Sequence, residues 1–258
     1  NTYSKKMDFN TGIGAQPQGS LIYIGGKFYG TTFFGGSALG PGGVLFEWDP
    51  STNVYAKKFN FNDADGNNPF GSLNYSSGKL FGMTYGGGAN NYGVIFQWDL
   101  VTNVYSKKID FNTAGNGANP HGALAYVGGK FYGATRTGGT YGYGVLFEWD
   151  PQVKVYTKKL DFNKANGANP EGSLTYRDGK FYGLTYRGGI SNEGVLFEWD
   201  PVTNIYVKKV DFNNAIGSAP NGALTEFDGK FYGITIGGGA GGGVIFEWDP
   251  SSNIYKNR

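Results

Sequence analysis

The chain of 258 residues contains no cysteine, one histidine (His121) and two methionines. Without cysteine there can be no disulfide, no zinc–thiolate site and no thiol nucleophile, a usage that fits either a cytosolic protein or a disulfide-free exported one. One histidine leaves a Ser-His-Asp arrangement a single candidate base. Charge is also scarce: charged residues make up 16% and the formal net charge is +2, too little to imply a polyanionic partner, so nucleic acid is not expected. No apolar run approaches the roughly 20 residues of a membrane helix, and no charged-then-apolar leader opens the chain. The expectation is a soluble protein that does not insert into a membrane.

Glycine and aromatics are abundant instead, with 46 glycines and 17% Phe, Tyr and Trp. That composition suits many short strands joined by tight turns, an all-β protein. Phe-Glu-Trp-Asp occurs at 46–49, 147–150, 197–200 and 246–249, with Phe-Gln-Trp-Asp at 96–99. Lysine pairs beginning at Lys5, Lys57, Lys107, Lys158 and Lys208 keep the same beat. One unit of about 50 residues is thus written five times, a period typical of propellers and solenoids. The repeat runs from end to end without a linker, so the reading is one domain over 1–258, with units of about 5–56, 57–106, 107–157, 158–207 and 208–258.

The fourth unit shows the plan. Gly172 to Tyr176 reads as a first strand, Lys180 to Thr185 as a second, Gly194 to Trp199 as a third and Ile205 to Phe212 as a fourth. Asp178-Gly179 between the first two asks for a primed hairpin turn, and the equivalents Gly25-Gly26, Ser77-Gly78, Gly128-Gly129 and Asp228-Gly229 all end in glycine. Four antiparallel strands per unit make a propeller blade, and five blades close a ring around an axial channel. The chain opens with Asn1-Thr2-Tyr3-Ser4-Lys5-Lys6-Met7-Asp8-Phe9, a fourth-strand sequence lacking the first three strands of its unit. The expectation is a five-bladed propeller latched by this N-terminal strand joining the C-terminal blade.

Lys-Phe-Tyr-Gly, the following Gly-Gly, Val-Leu-Phe-Glu-Trp-Asp-Pro and Thr-Asn-x-Tyr resemble a kelch repeat. With Tyr-Gly-x-Thr and the Asn-Pro-x-Gly step, the unit is more similar still to the bacterial GloVer-type tandem repeats. The resemblance covers essentially the whole chain. It implies a propeller, often secreted or at the bacterial cell surface, and no defined activity.

Repeated positions suit the fold. Trp48, Trp98, Trp149, Trp199 and Trp248 sit among apolar neighbours and read as core. The lysine pairs read as solvated protection of an outer strand. Glu47, Glu148, Glu198 and Glu247, matched by Gln97, read as cross-strand partners, and Asp8, Asp110, Asp161 and Asp211 as caps of the following turn. Asp63-Ala64-Asp65-Gly66-Asn67 starts like a calcium loop but lacks its closing Glu. Neither a metal nor a cofactor is expected.

Variable positions are where a unique site can lie. Between Pro and Gly before the first strand stand Gln18, Phe70, His121, Glu171 and Asn221; after the second strand stand Phe33-Phe34, Tyr85-Gly86, Arg136-Thr137, Tyr186-Arg187 and Ile236-Gly237. In a propeller these share one axial mouth, where aromatics, arginines, a histidine and a carboxylate could stack on and hydrogen-bond a sugar or peptide. The resulting expectation is a monomeric, non-catalytic carbohydrate-binding module that uses Gln18, Phe33, Phe34, Phe70, Tyr85, His121, Arg136, Glu171, Tyr186, Arg187 and Asn221. Beside it stand a scaffold for protein partners, five repeated sites built from the Asn-Pro, Thr and Gly-Gly elements, and a glycoside-active enzyme using Glu171, Glu193 or Glu226.

Overall fold

The computed structural model describes residues 2–36, 42–113 and 115–257; Asn1, at the head of the expected latch, lies outside them. Every regular element among the described residues is a β-strand. The chain divides into two compact units, Asn1–Phe111 and Asn112–Arg258.

The first unit holds two sheets. Sheet one runs β1 (Ile22–Ile24), β2 (Lys27–Thr32), β3 (Val44–Asp49), β4 (Val54–Asn60) in spatial order. Sheet two contains β5 (Asn67–Pro69), β6 (Asn74–Ser76), β7 (Lys79–Gly86), β8 (Val94–Asp99) and β9 (Val104–Asp110), with β5 and β6 both paired to β7. The second unit holds three. Sheet three is β10 (Ala125–Val127), β11 (Lys130–Thr135), β12 (Val145–Asp150) and β13 (Val155–Asp161); sheet four is β14 (Thr175–Arg177), β15 (Lys180–Thr185), β16 (Val195–Trp199) and β17 (Tyr206–Asp211); sheet five is β18 (Ser218–Phe227), β19 (Lys230–Gly237), β20 (Ile245–Asp249) and β21 (Ile254–Asn257). All strand pairings are antiparallel, and sheets one, three, four and five are simple meanders, as the hairpin signals require. Asp178 and Gly179 take φ of 49° and 83°, the left-handed pair that a type I′ turn needs.

The Tyr-Gly-x-Thr motif has a local cause. A Cβ on Gly133 would lie 2.6 Å from Cζ of Phe147 on the paired strand, so only glycine lets that ring lie flat across β11. The buried Thr185 hydroxyl donates to the Arg187 carbonyl at 2.8 Å and accepts the Val195 amide at 3.1 Å. It thereby fixes the loop between second and third strands, and Thr32, Thr84, Thr135 and Thr235 do the same.

Sheets pack face to face within each unit. Tyr132, Ala134 and Leu146 of sheet three share a core with Leu174, Phe181, Phe197 and Trp199 of sheet four. Tyr182, Leu184 and Leu196 of sheet four do so with Leu224, Phe231, Phe246 and Trp248 of sheet five. Four of the five tryptophans are buried as expected; Trp48 is half-buried. Fully burying one such aromatic or aliphatic side chain is worth about 1.5–3 kcal/mol, so these stacked faces hold the array.

Four expectations need correction. The first strand of the fourth unit begins at Thr175 rather than Gly172, because Gly172 is pressed against the Gly222 carbonyl and Ser173 accepts at 2.8 Å the amide of Ala123, in the segment leading into β10. Residues 2–9 form no strand, and the outer place in sheet five is filled by β21, which pairs from Phe246↔Asn257 to Asp249↔Ile254. The lysines are partnered rather than merely solvated: Lys209 lies 3.3 Å from Glu198, and Lys208 lies 2.7 Å from Asp211. Three of the aspartates cap the loop of their own sheet, not the following turn: Asp110 accepts the Ala89 amide at 2.7 Å, Asp161 that of Thr140 at 2.8 Å and Asp211 that of Ile190 at 2.9 Å, while Asp8 pairs with Lys5 at 2.9 Å. The glutamates do act across strands, as when Glu198 on β16 receives Lys180 of β15 at 2.7 Å.

Candidate functional site

In the unit 112–258 the loops of sheets three and four bring five of the expected residues together. Arg136 follows β11, and its Nε donates to Oε1 of Glu171, two residues before Ser173, at 2.7 Å. His121 Nδ1 lies 3.0 Å from the Glu171 carbonyl. A carbonyl only accepts, so this nitrogen carries the proton. Asn169 joins the parts: its side-chain amide donates to the Arg136 carbonyl at 2.9 Å, and its own carbonyl accepts the Tyr186 amide at 3.0 Å. Arg187 is exposed and lays its guanidinium 5.0 Å from the centre of the Tyr186 ring, a cation–π stack.

The electrostatics of this patch limit what two of its residues offer a ligand. Arg136 spends its Nε on Glu171, and both side chains are largely withdrawn from solvent, at 35% and 10% exposure, so Arg136 is a braced element rather than an open anion receptor. Burial pushes His121 below its usual value, with the Glu171 groups pulling it back up and Arg136 pushing further down. The imidazole is therefore neutral at pH 7, not poised at its ordinary titration point.

Asn221 stands elsewhere in the unit, on β18 opposite Ile234, lining a groove of about 270 Å³ with Thr225, Tyr232 and Ile245. In the unit 1–111 the structure forms an aromatic cluster: Phe33 meets Phe34 edge-on at 4.6 Å and Phe70 edge-on at 5.7 Å. Gln18 is exposed, and Tyr85 on β7 is half-buried.

The alternatives fare differently. The repeated Thr and Asn-Pro elements already hold backbone, Asn68 donating to the Phe33 carbonyl at 2.9 Å as Asn169 does to Arg136, which leaves them poor ligand donors for five equivalent sites. The candidate acids are separated in role: Glu171 is held by Arg136, while Glu226 accepts the Gly229 amide at 3.2 Å at the β18–β19 turn and lies 3.8 Å from Arg177. Asp63 and Asp65 each accept a side-chain amide, from Asn67 and Asn62, both at 2.7 Å. The bracing role of Asn169 was missed from sequence, although its recurrence before Pro at 68, 119 and 169 was the available signal.

The family model of the Gloeobacter/Verrucomicrobia repeat matches residues 1–129 and 111–257. No curated protein matches the chain. Among solved structures it is similar to TolB from Acinetobacter baumannii at 14% identity and a TM-score of 0.56, over 90% of this chain and 51% of that one. It is similar to the nidogen/laminin complex at 12% identity and a TM-score of 0.57, over 84% and 75%. PorZ, a surface component of the type-IX secretion system of Porphyromonas gingivalis, aligns at 16% identity and a TM-score of 0.59, over 90% and 32%. The chain thus spans about half the length of TolB and a third of PorZ. At these identities the likeness is one of fold, and that fold is propeller-like.

Proposed function

As the chain belongs to the Gloeobacter/Verrucomicrobia repeat family, we propose that its five sheets serve as the blades of a kelch-like propeller acting as a non-catalytic binding module for carbohydrate, secreted or at a bacterial surface. The observation that carries this reading is the Tyr186–Arg187 stack, tied through Asn169 to the braced Arg136–Glu171–His121 cluster. A flat ring next to fixed donors and acceptors suits a ligand with one apolar face and a hydroxylated rim. Rigid bracing lowers the ordering cost of binding. A peptide segment is the second reading, favoured by the Phe33–Phe34–Phe70 cluster, whose Phe34 ring is exposed.

A glycan array followed by calorimetry tests the proposal. The expected result is one bound ligand per chain, lost in the Tyr186→Ala/Arg187→Ala double variant with the melting temperature nearly unchanged. Undiminished affinity in that variant removes this site, and a clean negative on the array leaves the peptide reading.

A further inference from the structure

Most charges of the unit 112–258 are neutralised within it, and an exception lies in the binding patch. Arg136 is paired with Glu171, and Arg177 has Asp178 at 3.1 Å and Glu226 at 3.8 Å. Arg187, the third described arginine, forms no ion pair and no side-chain hydrogen bond among the described residues, although Glu193 stands in the same loop. Arg136 and Glu171 cancel and His121 is neutral, so the cluster keeps one uncompensated positive charge, and it sits on Arg187. The equivalent positions hold Phe34, Gly86, Thr137 and Gly237, so this guanidinium belongs to one repeat alone.

Arg187 is also held in place. Its amide donates to the Ala168 carbonyl at 2.9 Å, and its carbonyl accepts both the Ala168 amide and the Thr185 hydroxyl at 2.8 Å. The Tyr186 ring under its side chain is anchored in turn, the Tyr186 amide donating to the Asn169 carbonyl at 3.0 Å. A guanidinium stacked by its face leaves its N–H groups, which all lie in its plane, directed outward as a fork that matches a carboxylate edge to edge. A neutral sugar hydroxyl engages one such donor. A carboxylate engages two and cancels the charge.

We propose, in an inference that rests on the carbohydrate reading above, that the ligand is an acidic sugar of the uronate class. Its ring carboxylate is taken bidentately by Arg187, and its neutral hydroxyls are left to the neighbouring Arg136–Glu171–His121 cluster. One planar fork with one positive charge fits one planar, singly charged group. Charge-assisted hydrogen bonds are about twice as strong as neutral ones, so the acid should bind at least about ten-fold more tightly than its neutral ester. The exposed setting of Arg187 makes that preference weaken as salt is added.

Calorimetric titration of the full chain with galacturonate and mannuronate oligosaccharides, each beside its own methyl ester, tests the proposal. Esterification removes the charge and keeps the ring. The expected result is the stated preference for the free acid, abolished in Arg187→Gln, where acid and ester bind alike. Because Arg187 is exposed, that variant should keep the parent's melting temperature. Lys154→Asn serves as the control for net charge: it removes one exposed positive charge at the β12–β13 turn and restores the asparagine found there at 53, 103, 204 and 253, all at positive φ. It should leave the preference intact. Equal affinity of acid and ester in the parent overturns the proposal, as does a preference that survives Arg187→Gln or falls equally in Lys154→Asn. Esters or neutral glycans that bind as well as the acids, and are lost in Tyr186→Ala/Arg187→Ala, overturn the acidic specificity and leave the carbohydrate reading standing. No binding of any glycan removes both.

Discussion

Sheet four and the sheets of the unit 1–111 follow one plan with unequal completeness. In sheet four every repeated position is used: Trp199 is fully buried and donates to Asn204 at 3.0 Å, Glu198 sits between Lys180 and Lys209, and Phe162 enters from the preceding strand to pack on Phe197 at 5.7 Å. In sheet two the buried Trp98 indole nitrogen finds no acceptor, and Gln97 stands where the glutamate would be. In sheet one Phe9, the counterpart of Phe162, still packs on Phe46 at 5.4 Å but is only half-buried. The difference teaches that no single polar device of the repeat is indispensable. Apolar face packing carries each sheet, and the polar contacts refine it.

If so, apolar truncation should separate the regions most. Phe162→Ala removes a fully buried ring and should cost about 3–5 kcal/mol, whereas Phe9→Ala, at the same repeat position, should cost roughly half that or less. Urea unfolding of the two variants, compared at equal m-value, measures the gap. Equal losses would mean that Phe9 is as fully packed as Phe162 and that sheet one is not the looser region.

The tryptophans give a smaller contrast. Trp199→Phe loses ring area together with a satisfied hydrogen bond, leaving Asn204 without its donor; Trp98→Phe loses ring area but also relieves a buried N–H that bonds to nothing. An unmade buried hydrogen bond costs about 1–3 kcal/mol, so Trp199→Phe should be the more damaging by at least about 1 kcal/mol. Thermal unfolding of the pair checks this. Identical shifts would mean that Trp98 has an acceptor in solution after all.

Much of this was readable in the sequence, and the limits have physical causes. Strands and turns follow from alternation and from glycine at φ-positive sites, so β15 matches its expected span and the Asp178-Gly179 turn takes the expected form. What the sequence withheld is which polar groups pay their hydrogen bonds to which neighbours, because that depends on sheet-to-sheet contact. Asn169, one of the repeated Asn-Pro elements that the sequence offers as ligand donors, braces Arg136, and Arg136, one of the arginines it offers to a sugar or peptide, is paired with Glu171. Gln97 shows that the charge is dispensable. What went unread is that its neighbour changes with it.

Across β7 and β8, Phe81 faces Gln97, whereas Tyr29, Tyr132, Tyr182 and Tyr232 face the glutamates. The Tyr29 hydroxyl donates to Glu47 at 2.9 Å, and that of Tyr232 to Glu247 at 3.3 Å. Tyr and Glu therefore form one device, and sheet two lacks both halves. Gln97→Glu alone puts a carboxylate against a ring with no hydroxyl and should change stability by no more than about 0.5 kcal/mol, in the range of partly exposed ion pairs. Phe81→Tyr/Gln97→Glu should exceed the sum of its singles, with the coupling read from a double-mutant cycle. Its pH profile supplies a second signature. The lysines and the tyrosine hydroxyl hold Glu47 below its usual range against the opposing effect of burial, while burial first and Glu47 second push Tyr29 up to about 12. A depressed carboxylate adds stability that is present above its unfolded pKa and lost as pH falls through the folded one; a raised phenol adds stability that is present below about 10 and lost as pH rises toward 12. The double variant should therefore gain over the parent between these limits and lose the gain at both ends. A pH-independent gain would show that the added groups act by packing and not as the ionised pair.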